Sequence, residues 1–220
     1  MRIMTPLFLM LAAFTVACNG DAPTALNTDG ALQAPTALSR QNTADVEVFE
    51  FDGTPVPGGS SKITRTANGA NSVLHTSGLE PGHAHTMWMV VFNEPGECAT
   101  TPCTGDDVVP GTAAMVDVIY VAGHVVGGSG KATFSGRRAA GDNSRSVYAD
   151  LGAPAPGLID PLTAEMHLVV RTHGPKISGQ VSSQIHTFEG ACTLDTSFDL
   201  ADGDFECEDI QFAIHSPPSP

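Results

Sequence analysis

From Asp45 to His215 the apolar runs are short, and glycine or proline stands between most of them. The chain of 220 residues holds 23 glycines and 16 prolines. The runs between them are rich in valine, isoleucine, threonine and aromatic residues. Such side chains crowd the preceding turn of a helix but suit a pleated surface, and the turn formers mark where each run reverses. This spacing predicts an all-β domain, a Greek-key sandwich of about nine or ten strands, over 45–215. The span is long enough to bury its own core, and a composition of 41% hydrophobic and 15% charged residues is compatible with one.

Within that span the expected strands are 46–51, 61–66, 71–76, 83–92, 113–122, 130–136, 144–149, 163–173, 180–188 and 208–215. Asn68-Gly69 between the second and third is a favoured hairpin pair, because both residues tolerate positive φ. Trp88, the single tryptophan, reads as core together with Val90 and Phe92. In the last strand Ile210, Phe212 and Ile214 share a face by period two.

The segment Thr163 to His173, closed by Gly174-Pro175, carries the most informative alternation. Met166, Leu168, Val170 and Thr172 form one face, expected in the core. Glu165, His167, Val169, Arg171 and His173 form the other, expected in a polar setting. A carboxylate, two imidazoles and a guanidinium thus fall on one side of one strand.

The amino terminus has the form of an export signal. Arg2 supplies a positive charge, and Pro6 to Val16 is an apolar run too short to span a bilayer as a helix. It ends Phe14-Thr-Val-Ala-Cys18, which resembles a bacterial lipoprotein signal, with Thr15 where leucine is usual. The resemblance implies cleavage of 1–17, a diacylglycerol on the Cys18 thiol, and attachment to a membrane. Asn19 after the cysteine implies outer-membrane sorting in a Gram-negative cell. Residues 18–44 then read as a flexible tether in which Ala-Pro-Thr-Ala-Leu occurs twice, and 216–220 as a disordered tail.

With Cys18 assigned to lipid, Cys98, Cys103, Cys192 and Cys207 remain, and four cysteines allow three pairings. Cys98–Cys103 and Cys192–Cys207 are the expected disulfides of an exported chain; a zinc site is disfavoured because neither spacing is Cys-x-x-Cys. Ten basic against 24 acidic residues give a formal charge of −14. A chain this acidic, without a basic cluster, is repelled by phosphate backbones, so nucleic acid is an unexpected partner.

Four chemistries can be weighed. His83-x-His85, continued by Met87 and Met89, offers imidazole and thioether, a set that suits copper; Glu165, His167 and His173 from another strand would complete it, with His124 and His186 near strand ends. Against this, methionine in an apolar strand is more often a gap-filler. Hydrolysis lacks a Gly-x-Ser-x-Gly elbow, and Glu165 with His167 has no nucleophile tied to it by sequence. Gly127-Gly-Ser-Gly-Lys131 lacks a glycine and the Ser/Thr of a phosphate loop and reads as a turn. Asp195, Asp199, Asp202, Asp204, Glu206, Glu208 and Asp209 are dense enough to hold calcium, yet they fit no calcium-loop spacing.

Two local resemblances bear on the fold. Leu79-Glu-Pro-Gly82 before an aromatic strand resembles the strand corner of fibronectin-like sandwiches. The segment from Glu165 to Pro175, with 177–181, resembles CHRD domains, secreted sandwiches related in shape to copper/zinc superoxide dismutase. These imply an immunoglobulin-like or superoxide-dismutase-like sandwich and no particular activity. Arg171 stands where CHRD domains have the first histidine of a pair, which removes one ligand from any inherited metal site. The expectation for the whole chain is a non-enzymatic, lipid-anchored envelope protein acting on an unknown protein or small-molecule ligand. The alternative is copper binding through His83, His85, His167 and His173.

Overall fold

Backbone hydrogen bonding organises the chain into two antiparallel sheets. The computed structural model describes residues 43–194 and 205–218. In chain order the strands are β1 (Thr43–Val46), β2 (Phe49–Glu50), β3 (Ser60–Thr66), β4 (Gly69–Thr76), β5 (His83–Phe92), β6 (Val116–Val125), β7 (Ala132–Ala139), β8 (Glu165–Pro175), β9 (Cys192–Leu194), β10 (Phe205–Glu206) and β11 (Glu208–His215). Among the described residues two single-turn α-helices interrupt them, α1 (Val147–Asp150) and α2 (Val181–Gln184). One sheet has the order β1-β3-β4-β7 and the other β2-β11-β8-β5-β6; β9 and β10 pair separately in parallel. Chain neighbours repeatedly change sheet, as in a Greek-key sandwich.

The β3–β4 hairpin shows how local chemistry sets register. Thr66 pairs with Gly69, so Ala67 and Asn68 form the loop and the turn sits one residue earlier than the Asn-Gly pair implies. Gly69 is required for another reason: a Cβ there would lie 2.3 Å from the Arg138 carbonyl of β7.

Between the sheets lies the first core, built from Ile63, Leu74, Met87, Met89, Val91, Ile119, Phe134, Met166, Leu168 and Val170 among others. Polar ties bridge the same space. Ser61 Oγ meets His215 Nε2 at 2.8 Å, and the Thr76 hydroxyl bonds the Gln211 side chain. The Arg65 guanidinium, 4% exposed, donates to the carbonyls of Pro161 (2.9 Å), Ala164 (2.6 Å), His215 (2.8 Å) and Ser216 (3.1 Å). It thereby fastens β3 to the entry of β8 and the exit of β11.

The five-stranded sheet is buried on its outer face too. Trp88, Val90, Phe92, Val116, Val118, Tyr120, Val147, Tyr148, Val169 and Phe188 form a second core there, under loops from 93–115, 144–158 and 181–191. The odd-numbered face of β8, expected in a polar setting, is therefore buried at every position from Glu165 to His173. Covering loops carry no periodicity that would announce them.

Several expected strands differ. Residues 144–149 hold α1, because the Ser146 hydroxyl caps the Ala149 N–H at 3.1 Å and starts a helical turn. Residues 180–188 hold α2, whose Gln184 side chain donates to the His173 and Pro175 carbonyls at 3.0 and 2.9 Å. The segment expected at 113–122 becomes a strand only at Val116, after Met115 turns with φ 49°. A bulge between Asp209 and Gln211 puts Ile210 against the inner core and Phe212 against the outer one, so the expected shared face is broken.

Arg65→Met leaves four carbonyls without their donor. Urea unfolding is expected to show a loss of about 3 kcal/mol, typical when a buried charged hydrogen-bonding group is removed, with an unchanged denaturant slope.

Candidate functional site

The outer core is incompletely covered, and the gap is a cleft of about 630 Å³. Its floor is the sheet: Trp88 and Val90 of β5, Val118 of β6, Val169 and His167 of β8, Phe212 and Ile214 of β11. One wall is the Cys98–Cys103 disulfide loop, through Pro102, Cys103, Thr104, Gly105 and Val108; Phe51, Phe188 and Asp209 complete the rim. Rings meet edge to face around it, Trp88 with Phe188 at 5.1 Å and Phe51 with Phe212 at 5.2 Å. Phe51, 56% exposed, packs its ring against Phe212 at the rim. Size and lining match the ordinary dimensions of small-molecule sites, which are mainly apolar with a few placed polar groups.

Three polar residues on the outer face of β8, Glu165, Arg171 and His173, bond the covering loops. Glu165, 1% exposed, accepts from the Cys103 N–H and from His167 Nε2, both at 2.8 Å through the same oxygen. A carboxylate oxygen only accepts, so His167 Nε2 carries a proton toward Glu165 and, in the neutral ring, Nδ1 carries none. Arg171 lies 4.1 Å over the Phe188 ring, donates Nε–H to the Phe188 carbonyl at 3.2 Å and pairs with Asp209 at 3.0 Å.

His173, fully buried, ends a chain of hydrogen bonds whose directions are fixed. Its Nδ1–H donates to the Gly190 carbonyl at 3.0 Å, leaving Nε2 to accept from the Thr86 hydroxyl at 2.8 Å, and Thr86 accepts from Trp88 Nε1–H at 2.6 Å. Burial pushes the His173 pKa down to about 3. His85, 1% exposed, is likewise pushed down to about 4 by burial. His215 is held near 3, first by burial and then by Arg65. All three are neutral in the folded protein.

Of the four histidines considered for copper, His167 stands apart from His85. His85 lies opposite Thr172 and His167 opposite Val90, five residues along the same ladder, or roughly 16 Å at ~3.3 Å per residue. Met87 and Met89 are buried in the inner core rather than offered to a ligand. His173 lies on the Thr86 side of β5. His83 and His85 do stack, with ring centroids 6.5 Å apart, and His124 pairs with His85 from β6. Among the described residues, three or more His, Cys, Asp or Glu ligand atoms converge within 4.8 Å only in His173–Cys192–Cys207 and Cys98–Cys103–Asp107. In both groups the cysteines are disulfide-bonded, Cys98–Cys103 and Cys192–Cys207, so they offer no thiolate.

Of the acidic run, Asp195, Asp199, Asp202 and Asp204 lie outside the described residues, as does Cys18; Glu208 is exposed and Asp209 pairs with Arg171. Residues 127–131 form a turn, with Gly130 N–H bonded to the Gly127 carbonyl at 3.1 Å. The shared face of Glu165 and His167 was visible in the alternation. The contributions of Phe51, Val108 and Phe188 were not, because they sit on loops.

Comparison of the chain with protein-family models, with curated proteins and with solved structures finds no match.

The three buried imidazoles link stability to pH. In the unfolded chain each titrates near its ordinary 6.5, so below that value unfolding takes up protons that the fold excludes. Stability is therefore fully present above about pH 6.5. It is expected to fall by about 1.4 kcal/mol per pH unit per histidine, until the folded values near 3 to 4 are reached. Urea unfolding at pH 7, 6 and 5 checks this, and His215→Gln is expected to make the slope shallower by one histidine's share.

Proposed function

We propose that this protein is a lipid-anchored cell-envelope module that captures a small, largely apolar molecule in the cleft over Trp88 and does not transform it. The cleft carries the reading: about 630 Å³ lined by four aromatic side chains and several valines is more than imperfect packing leaves behind. Two disulfides accord with an exported chain. Cys18, followed by the 18–44 tether, is the anchor, holding the domain at the outer membrane if the cell is Gram-negative. Acyl chains contribute about 0.8 kcal/mol per buried methylene, so the domain itself has no need of affinity for lipid. A binding rather than hydrolytic role fits the chemistry of the rim. Glu165 holds His167, but Cys103, whose N–H bonds Glu165, has its sulfur committed to Cys98.

A second reading, copper binding, rests on the stacked His83 and His85 with His124 across the ladder. It predicts one tightly held copper per chain that is lost on His83→Ala with His85→Ala.

Two measurements test the main reading. The complete chain carrying Cys18→Ser, purified without detergent, is expected to bind an uncharged naphthalene dye with 1:1 stoichiometry and a change in Trp88 emission. Val90→Trp, which fills the cleft floor, is expected to weaken that binding at least tenfold. Failure of the parent chain to bind any such probe contradicts the reading. In cells, an alkyne-bearing fatty acid is expected to label the wild-type chain and not Cys18→Ser.

A further inference from the structure

We infer that the molecule held in the cleft is an uncharged ring body carrying a hydroxyl group, and that His167 Nδ1 accepts the hydroxyl's hydrogen bond. This rests on the cleft being a binding site, as proposed above, and specifies what it selects.

Groups behind the cleft set this preference. Glu165 is buried and fixed by the Cys103 N–H, and its oxygen holds the Nε2–H of His167 at 2.8 Å. The ring also packs at a tilt against Phe92, with centroids 4.9 Å apart and planes at 57°. Both orientation and tautomer of the imidazole are therefore set from within the protein, in the way a carboxylate orients a working histidine. In the neutral ring this leaves a lone pair on Nδ1. That atom has no hydrogen bond among the described residues and is not sealed in the core, and His167 lines the cleft. An acceptor in a mainly apolar wall is costly to leave unmatched once a ligand excludes water, so it discriminates strongly for a donor.

The remaining groups narrow the ligand's charge. Asp209 is the other ionisable group on the rim and is already paired with Arg171, whose guanidinium is engaged with Phe188. An anionic head group would meet Asp209, an acceptor-only nitrogen and a chain of formal charge −14. A cation would compete with Arg171 for Asp209 and gain nothing from an apolar floor. A neutral hydroxyl satisfies Nδ1 without either penalty. The body is set by Trp88, Phe188, Phe212 and Phe51, whose faces and edges suit flat rings.

Three probes of nearly equal shape separate the outcomes. With the complete Cys18→Ser chain, 2-naphthol is expected to bind about tenfold more tightly than naphthalene or 2-methoxynaphthalene, the worth of one well-placed hydrogen bond. His167→Phe is expected to abolish that preference while retaining affinity for 2-methoxynaphthalene. In the parent chain the ¹⁵N resonance of His167 Nδ1 is expected to shift with 2-naphthol and not with its methyl ether; this decides the matter even if His167→Phe does not fold. Equal binding of the three probes, or an unmoved Nδ1, overturns the hydroxyl assignment and leaves the cleft intact. Binding of none overturns the cleft reading itself.

Discussion

A sheet buried on both faces has to hold down whatever covers its second side, and in this protein that task falls to the polar residues of β8. Glu165 takes the Cys103 N–H, Arg171 the Phe188 carbonyl and His173 the Gly190 carbonyl. Each bond reaches the backbone of a different point on the covering loops. A buried donor or acceptor left unmade costs about 1–3 kcal/mol and more if charged, so the loops are held at places chosen by β8. The cleft is what these attachments leave open between the disulfide loop and Phe188.

The alternation in 165–173 assigned side chains to the correct faces but not the environment of the odd-numbered one. Period two distinguishes the two sides of a strand; it cannot say whether water or a loop lies beyond. The same blindness hid Phe51 and Phe188, which line the cleft from irregular segments. It also hid α1 and α2, each a single turn and too short for a helical period. Bulges were the other source of error: one residue inserted at 209–211 sends Ile210 and Phe212 to opposite cores. By contrast, the role of Trp88, Val90 and Phe92 as core and the Cys98–Cys103 and Cys192–Cys207 pairs were legible, because they depend on burial preference and on short spacing.

The structure divides the imidazoles among unlike tasks: His173 completes a hydrogen-bond chain from Trp88, His215 ties β11 to β3, and His167 is oriented by Glu165. Shared residue type on neighbouring strands does not bring ligand atoms together when the register sets them five residues apart. Burial keeps His173 and His215 neutral, which suits hydrogen bonding within a core, whereas His167 alone of the three lines an accessible cavity.

Function in this protein turns on where an apolar molecule settles. A methyl-resolved NMR titration of the complete Cys18→Ser chain with naphthalene tests this most directly. The predicted result is saturable shifts of Val90, Val118, Val169 and Ile214 methyl groups and of the Trp88 indole N–H, with Ile63, Leu74 and Leu168 of the inner core unmoved. Shifts confined to the four-stranded sheet, or none that saturate, would contradict it.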